Sequence, residues 1–133
     1  MTIRLFFAIG ALAVPLTAAT GAPLNGRIAY VTDGDTFRLE SGERIRIAGI
    51  DAPELHRNQA KCAREVERGQ DARRRAIALL DGKTVELIRV GRSYNRTVAE
   101  VRLGGGDVAT LLVTRGIARW WPRGRPKPDW CSA

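Results

Sequence analysis

Residues 26–54 read GRIAYVTDGDTFRLESGERIRIAGIDAPE. Short apolar runs are separated there by two turn signals, Asp33-Gly34-Asp35 and Ser41-Gly42. The pattern predicts strands over 26–31, 36–40 and 43–48, with Ser41-Gly42 as a two-residue hairpin turn. Side chains alternate along a strand, so Ile45 and Ile47 face one way and Arg44 and Arg46 the other. Ala52-Pro53 then breaks the pattern.

Further along, residues 62–80 read as a helix. Cys62, Val66, Gly69, Ala72, Ala76 and Leu80 recur at helical steps, opposite a charged face. Three of these residues are small, which suits a helix lying close on a sheet. A fourth strand is predicted over 84–90, with Val85, Leu87 and Arg89 in register. A loop follows over 91–96, then a fifth strand over 97–103 carrying Ala99, Val101 and Leu103. Residues 104–106 turn into a short helix over 107–115. Asp107 is its cap, Val108, Leu111 and Leu112 its buried stripe, and Gly116 its terminator. A helix between the third and fourth of five strands is the layout of an OB-type Greek-key barrel. The predicted class is therefore mainly β with helices (α+β), with a short helix after strand five. In such barrels the loops after strands one and four border the ligand face.

The first residues read differently. Arg4 precedes an apolar run over 5–16, and Thr17 to Thr20 are small. That is the grammar of a secretory signal peptide. Cleavage after Ala19 leaves one domain over 20–133. A buried N-terminal helix or a retained anchor is the other reading. With 133 residues there is room for one domain. Net charge is +8, and +7 without Arg4, so a polyanionic partner is expected. One His and two Cys exclude the usual zinc sites. The expected location is secreted or periplasmic, with no stable membrane association after cleavage.

Four acids form two clusters, Asp33 with Asp35 and Asp51 with Glu54. Converging carboxylates without His or Cys favour a hard cation, Ca²⁺ or Mg²⁺. Arg46 and Arg96, both expected on polar surfaces, suit phosphate oxygens through forked hydrogen bonds. Cation, acid and arginines together are what phosphodiester cleavage needs. Each motif alone also reads as a plain turn or a solvated charge; the ordered set is what is specific.

The ordered set, Asp33-Gly34-Asp35-Thr36, Arg46, Asp51-Ala52-Pro53-Glu54 and Tyr94-Asn95-Arg96, resembles the staphylococcal nuclease (thermonuclease) family over about residues 26–119. The resemblance implies Ca²⁺-dependent hydrolysis of DNA and RNA that leaves 3′-phosphate ends. It implies Asp35, Asp51 and the Ala52 carbonyl as metal ligands, with Mg²⁺ or another divalent cation less favoured. Glu54 would orient or deprotonate the attacking water. Arg46 and Arg96 would bind the scissile phosphate, and Tyr94 would lie by a terminal phosphate. There are departures: Ala52 stands where Thr is frequent, Ser93 where the type member has Lys, and Asn95 where Gly is common. Asn95 is expected to take left-handed geometry. The family's long C-terminal helix is expected to be missing after Trp121.

Trp120 and Trp121, among Arg119, Arg123, Arg125 and Lys127, are expected to stack on bases or to cover the barrel end. His56 reads as a solvated loop residue. No base-reading helix is evident, so low sequence specificity, a preference for single strands and a monomer are expected. The competing reading is a non-catalytic nucleic-acid-binding OB module; a weaker third is a structural secreted domain that merely binds polyanions. A binding module needs the arginines but not the carboxylates. Cys62 and Cys131 are expected to pair in an oxidising compartment, two free thiols being the other reading.

Overall fold

The computed structural model describes residues 24–132, so the segment 1–19, read as a signal peptide, lies outside the described residues. β1 (Leu24–Val31), β2 (Thr36–Leu39) and β3 (Arg44–Ile47) form an antiparallel meander. The two-residue strand β4 (Ile50–Asp51) leads toward α1 (Ala63–Leu80). The hairpin of β5 (Thr84–Ser93) and β6 (Arg96–Leu103) follows. β7 (Gly106–Asp107), α2 (Val108–Thr114) and β8 (Arg119–Trp120) come last, and β8 pairs with β4. The main sheet runs β3-β2-β1-β5-β6 and closes through a parallel β3–β6 pairing, Ile45 opposite Thr97 and Ile47 opposite Ala99. This is the closed five-stranded barrel with two helices that the pattern predicts.

Alternation fills the barrel. Phe37, Leu39, Ile45, Ile47, Val85 and Val101 point inward and are buried. Burying such side chains contributes about 1.5–3 kcal/mol each.

α1 buries Gly69, Ala72, Ala76 and Leu80 as expected, but its fifth buried residue is Glu65 rather than Val66. Glu65 turns back toward the preceding loop. Its Oε2 accepts from the Lys61 N–H at 2.8 Å and its Oε1 from the Glu54 N–H at 3.2 Å. One carboxylate thus satisfies two backbone donors that no ladder serves, which is why an acid replaces an apolar residue there. Gly69 lets the helix lie on the chain below it. A Cβ at that position would sit 2.3 Å from the Glu54 carbonyl oxygen.

The turns depart from expectation in detail. β2 and β3 are joined by a three-residue loop. The Leu39 N–H donates to Glu43 O and the Gly42 N–H to Leu39 O, each at 2.9 Å, with Gly42 left-handed at φ +89°. The segment 91–96 is mostly ladder and not loop: Gly91, Arg92 and Ser93 pair with Val98, Thr97 and Arg96. Hydropathy misses this extension because its backbone hydrogen bonds continue where the side chains are exposed. Only Tyr94 and Asn95 make the turn. Tyr94 holds the left-handed geometry (φ 55°), not Asn95, whose side-chain oxygen instead accepts from Arg44 Nη1 at 3.0 Å. In α2 the buried set is Val108, Ala109 and Leu112, with Leu111 half-buried.

After Trp120 the described chain forms no further helix or strand. Residues 121–132 instead make a strap across one end of the barrel. Its start is tied where the Trp121 N–H donates to Gly49 O at 2.8 Å. Its end is tied by a disulfide between Cys62 and Cys131 and by Arg68, whose Nη1 donates to Trp130 O at 2.7 Å.

Candidate active site

The turn between β1 and β2 places the first acids. Asp33 Oδ1 accepts the Asp35 N–H at 3.0 Å, which shapes the turn. Gly34 lets that turn seat on Ala52, because a Cβ there would lie 2.7 Å from the Ala52 Cβ. Asp35 is buried and fully engaged. Its Oδ1 accepts from the Thr36 hydroxyl at 2.8 Å, and its Oδ2 from the Ala52 N–H at 2.9 Å.

Strand register brings the first arginine in. Arg46 lies opposite Thr36 across the β2–β3 ladder. Its Nη1 is 3.0 Å from Asp35 Oδ2 and its Nη2 is 3.9 Å from Asp51 Oδ1. Nη2 also donates to Ile50 O at 3.2 Å. One guanidinium therefore spans two buried carboxylates. The Arg46 side chain is only 14% exposed, so it does not lie on an open polar surface as expected.

β4 carries Asp51, and pairing with β8 holds it there. Trp130 donates its indole N–H to Asp51 Oδ2 at 2.9 Å. Glu54 is fixed through its backbone by Glu65, and its Oε1 lies 3.1 Å from Lys127 Nζ. Lys127 Nζ is also 3.8 Å from Asp51 Oδ1. From the far side Arg96, at the start of β6, reaches Thr36 Oγ1 at 3.5 Å. Tyr94 stands at the hairpin tip, 93% exposed.

Most of these groups, though not Trp130 or Glu65, line one cleft of about 720 Å³. It brings together Asp35, Arg46, Asp51, Ala52, Glu54, Tyr94, Arg96 and Trp121 from the residues singled out in the sequence. Trp120 is not among its lining residues and is half exposed on β8. His56 lies on the cleft rim, exposed. The Trp121 ring wall is flanked by cations, with Arg46 Cζ 5.7 Å and Lys127 Nζ 6.0 Å from its centroid.

Crowded acids show in their titration. Burial, with Asp35 beside it, pushes Asp33 up to about 8. Burial likewise raises Asp51 above the usual carboxylate range, against the Trp130 hydrogen bond and Lys127. Burial pulls Lys127 down, but Glu54 and Asp51 outweigh it and keep the ammonium above the usual lysine range.

Among the described residues no group of three or more His, Cys, Asp or Glu surrounds a common point. The donors that converge are two carboxylates, Asp35 and Asp51, beside the Ala52 backbone. An all-oxygen set of this kind fits a hard cation whose remaining positions are filled by water or phosphate oxygen.

An acid-and-arginine cleft at the rim of an OB-type barrel fits a nuclease-type domain. A sequence model of the family described as staphylococcal nuclease homologue matches residues 44–129, and the chain belongs to that family. The matched span takes in Arg46, residues 51–54, Arg96 and most of the strap, and begins after Asp35. No curated protein matches the chain.

Four contributors have contacts in the site that the sequence did not assign. Thr36 links Asp35 to Arg96, Glu65 holds Glu54, and Trp130 and Lys127 come from the strap. Thr36 had a signal as part of the Asp33-Gly34-Asp35-Thr36 motif, Lys127 as a charge beside the tryptophans, and Glu65 through its capping-box spacing from Cys62; Trp130 had none.

Proposed function

We propose that this protein is a secreted or periplasmic Ca²⁺-dependent nuclease. It hydrolyses phosphodiester bonds of DNA and RNA with low sequence specificity and leaves 3′-phosphate ends. The observation that carries the reading is Arg46 spanning Asp35 and Asp51 in the same cleft as Glu54 and Arg96. Asp35, Asp51 and the Ala52 carbonyl are the groups that would hold Ca²⁺, which supplies charge neutralisation beside the phosphate.

The chain's own residues do the rest. Arg46 and Arg96 grip non-bridging oxygens of the scissile phosphate and stabilise charge that grows toward the transition state. Glu54 accepts a proton from the attacking water, whose oxygen bonds to phosphorus. The bond to the 5′ oxygen breaks, and that oxygen takes up a proton and departs as a hydroxyl. Glu65 acts through Glu54: by holding its backbone N–H it fixes where the carboxylate starts. Single strands, whose phosphates reach an open cleft without unpairing, are the favoured substrates. The Cys62–Cys131 disulfide supports an oxidising compartment, in line with export of residues 20–133 after cleavage at Ala19.

The test is incubation of the purified protein with single-stranded DNA, with and without Ca²⁺, beside Glu54→Gln. Cleavage by wild type in Ca²⁺ and its loss in Glu54→Gln are expected. Binding without cleavage would select the non-catalytic OB module instead.

A further inference from the structure

The strap carries a cation into the cleft on a backbone of unusually restricted freedom. Lys127 sits between Pro126 and Pro128. Both prolines have φ fixed near −65°, and a residue before proline is held extended. The strap is anchored before it by Trp121 on Gly49 and after it by Trp130, Arg68 and the disulfide. The Lys127 backbone is therefore restricted in its dihedral freedom, while its four-carbon stem stays free to swing.

We propose that Lys127 is a phosphate ligand of the cleft: its ammonium rests on Glu54 and Asp51 while the cleft is empty and passes to a non-bridging phosphate oxygen when nucleic acid binds. The substrate class rests on the nuclease reading given above, but the binding test does not require cleavage.

The resting partners can release it. Asp51 keeps the Trp130 hydrogen bond at 2.9 Å and Arg46 at 3.9 Å when Lys127 leaves. Glu54 is 29% exposed, so water replaces the ammonium there. An ion pair at this degree of exposure is weak, and a phosphate offers the same ammonium another anion. Release also frees Glu54 to accept a proton, so one movement both grips substrate and unmasks the acid. Charge balance points the same way. The lining holds four acids against four bases, Arg44, Arg46, Arg96 and Lys127. Lys127 is thus one of four cationic side chains lining a cleft meant for a polyanion. Lys127 also stands on the strap, whereas the three arginines stand on β3 and β6, so it is the cation of the opposite wall.

The test compares wild type, Lys127→Met and Lys127→Arg for binding of a short oligothymidylate in EDTA across a salt series. Losing one phosphate contact to a single strand should flatten the slope of log K against log salt by about 0.7. Lys127→Met should show that flattening and weaker binding at low salt, Lys127→Arg should restore both, and thermal unfolding should be nearly the same in all three. A Lys127→Met slope equal to wild type, or binding tighter than wild type, would overturn the proposal and leave Lys127 as a clamp on Glu54. A parallel assay with Ca²⁺ reports separately on the nuclease reading. If wild type fails to cleave, that reading falls while the salt slopes still decide Lys127.

Discussion

The two walls of the cleft are held by different physics. The barrel wall, with Asp35 and Arg46, stands on paired strands over a core of inward-facing apolar side chains. The strap wall, with Trp121 and Lys127, has no ladder of its own. It depends on a few anchors: an indole N–H on Asp51, an arginine on a carbonyl, a cation over a ring and a disulfide. A barrel distributes its stability over many small contacts, whereas the strap concentrates it in a few. Losing one anchor should therefore loosen the strap wall as a whole, whereas losing one apolar contact leaves the rest of the barrel wall paired, unless the barrel residue is itself an electrostatic hinge.

Arg46 is that hinge, and it tests the contrast hardest. Arg46→Ala is expected to lower turnover about a hundredfold or more, because charge stabilisation at the phosphate is lost. It also leaves Asp35 and Asp51 buried without their shared cation, so unfolding in urea should show a loss of about 3 kcal/mol. Arg96→Ala should match it in turnover but not in stability, since Arg96 spans no buried acid pair. Equal stability losses in the two variants would erase the distinction.

Opening the disulfide by replacing both cysteines with Ser addresses the strap. The bond closes a loop across a sequence separation of 69 residues. By the chain-entropy model such a closure contributes about 4 kcal/mol. Thermal unfolding with and without reductant measures it directly, and an unchanged melting temperature would show that the remaining anchors suffice.

Trp130→Phe keeps the ring over Arg119 and removes only the N–H that Asp51 accepts. A hydrogen bond to a charged group contributes about 2 kcal/mol, so denaturation should shift by that much and turnover should fall with it. A stability loss with unchanged turnover would separate the anchor from the chemistry.

The smallest effect belongs to the barrel. Glu43 accepts from Arg89 and Thr97, and the Arg89 hydrogen bond holds its carboxyl down at about 2. A carboxyl lowered on folding adds stability that is fully present above its ordinary value of 4.5 and is lost as pH falls toward 2. Both partners are partly exposed, so the pair is worth about 1 kcal/mol or less. Glu43→Gln should lower the melting temperature by a few degrees near neutrality and flatten its decline in that acid window. An unchanged acid profile would remove the pair from the account.

The same contrast explains what the sequence made legible. β-strand alternation announced Ile45, Ile47, Arg44 and Arg46 on their proper faces, because burial imposes a period of two. Turn chemistry announced Asp33-Gly34-Asp35, and from there the acids and arginines could be placed on one rim. Glu65 was hidden because its burial answers two backbone donors and not a hydrophobic stripe. The contacts of Trp130 with Asp51 and of Lys127 with Glu54 were hidden because no periodicity links the strap to those acids; they span 79 and 73 positions of chain. The left-handed position falls on Tyr94, one residue before the expected Asn95, because the hairpin register, set by Ser93 opposite Arg96, decides which residue turns.

The disulfide also divides the chain into a ring and a free arm. Cys62 to Cys131 encloses α1, the β5–β6 hairpin, α2 and the strap, while β1 to β4 lie outside it. Asp35, Arg46 and Asp51 are thus on the arm, and Arg96 and Lys127 on the ring. A protease that nicks the ring once leaves two pieces still covalently joined. A single nick in the exposed stretch 56–59, beside Glu54, sets the arm free of every covalent tie. The vulnerable bond of this protein is therefore not in its long covalent circuit but in the four exposed residues that lead into it.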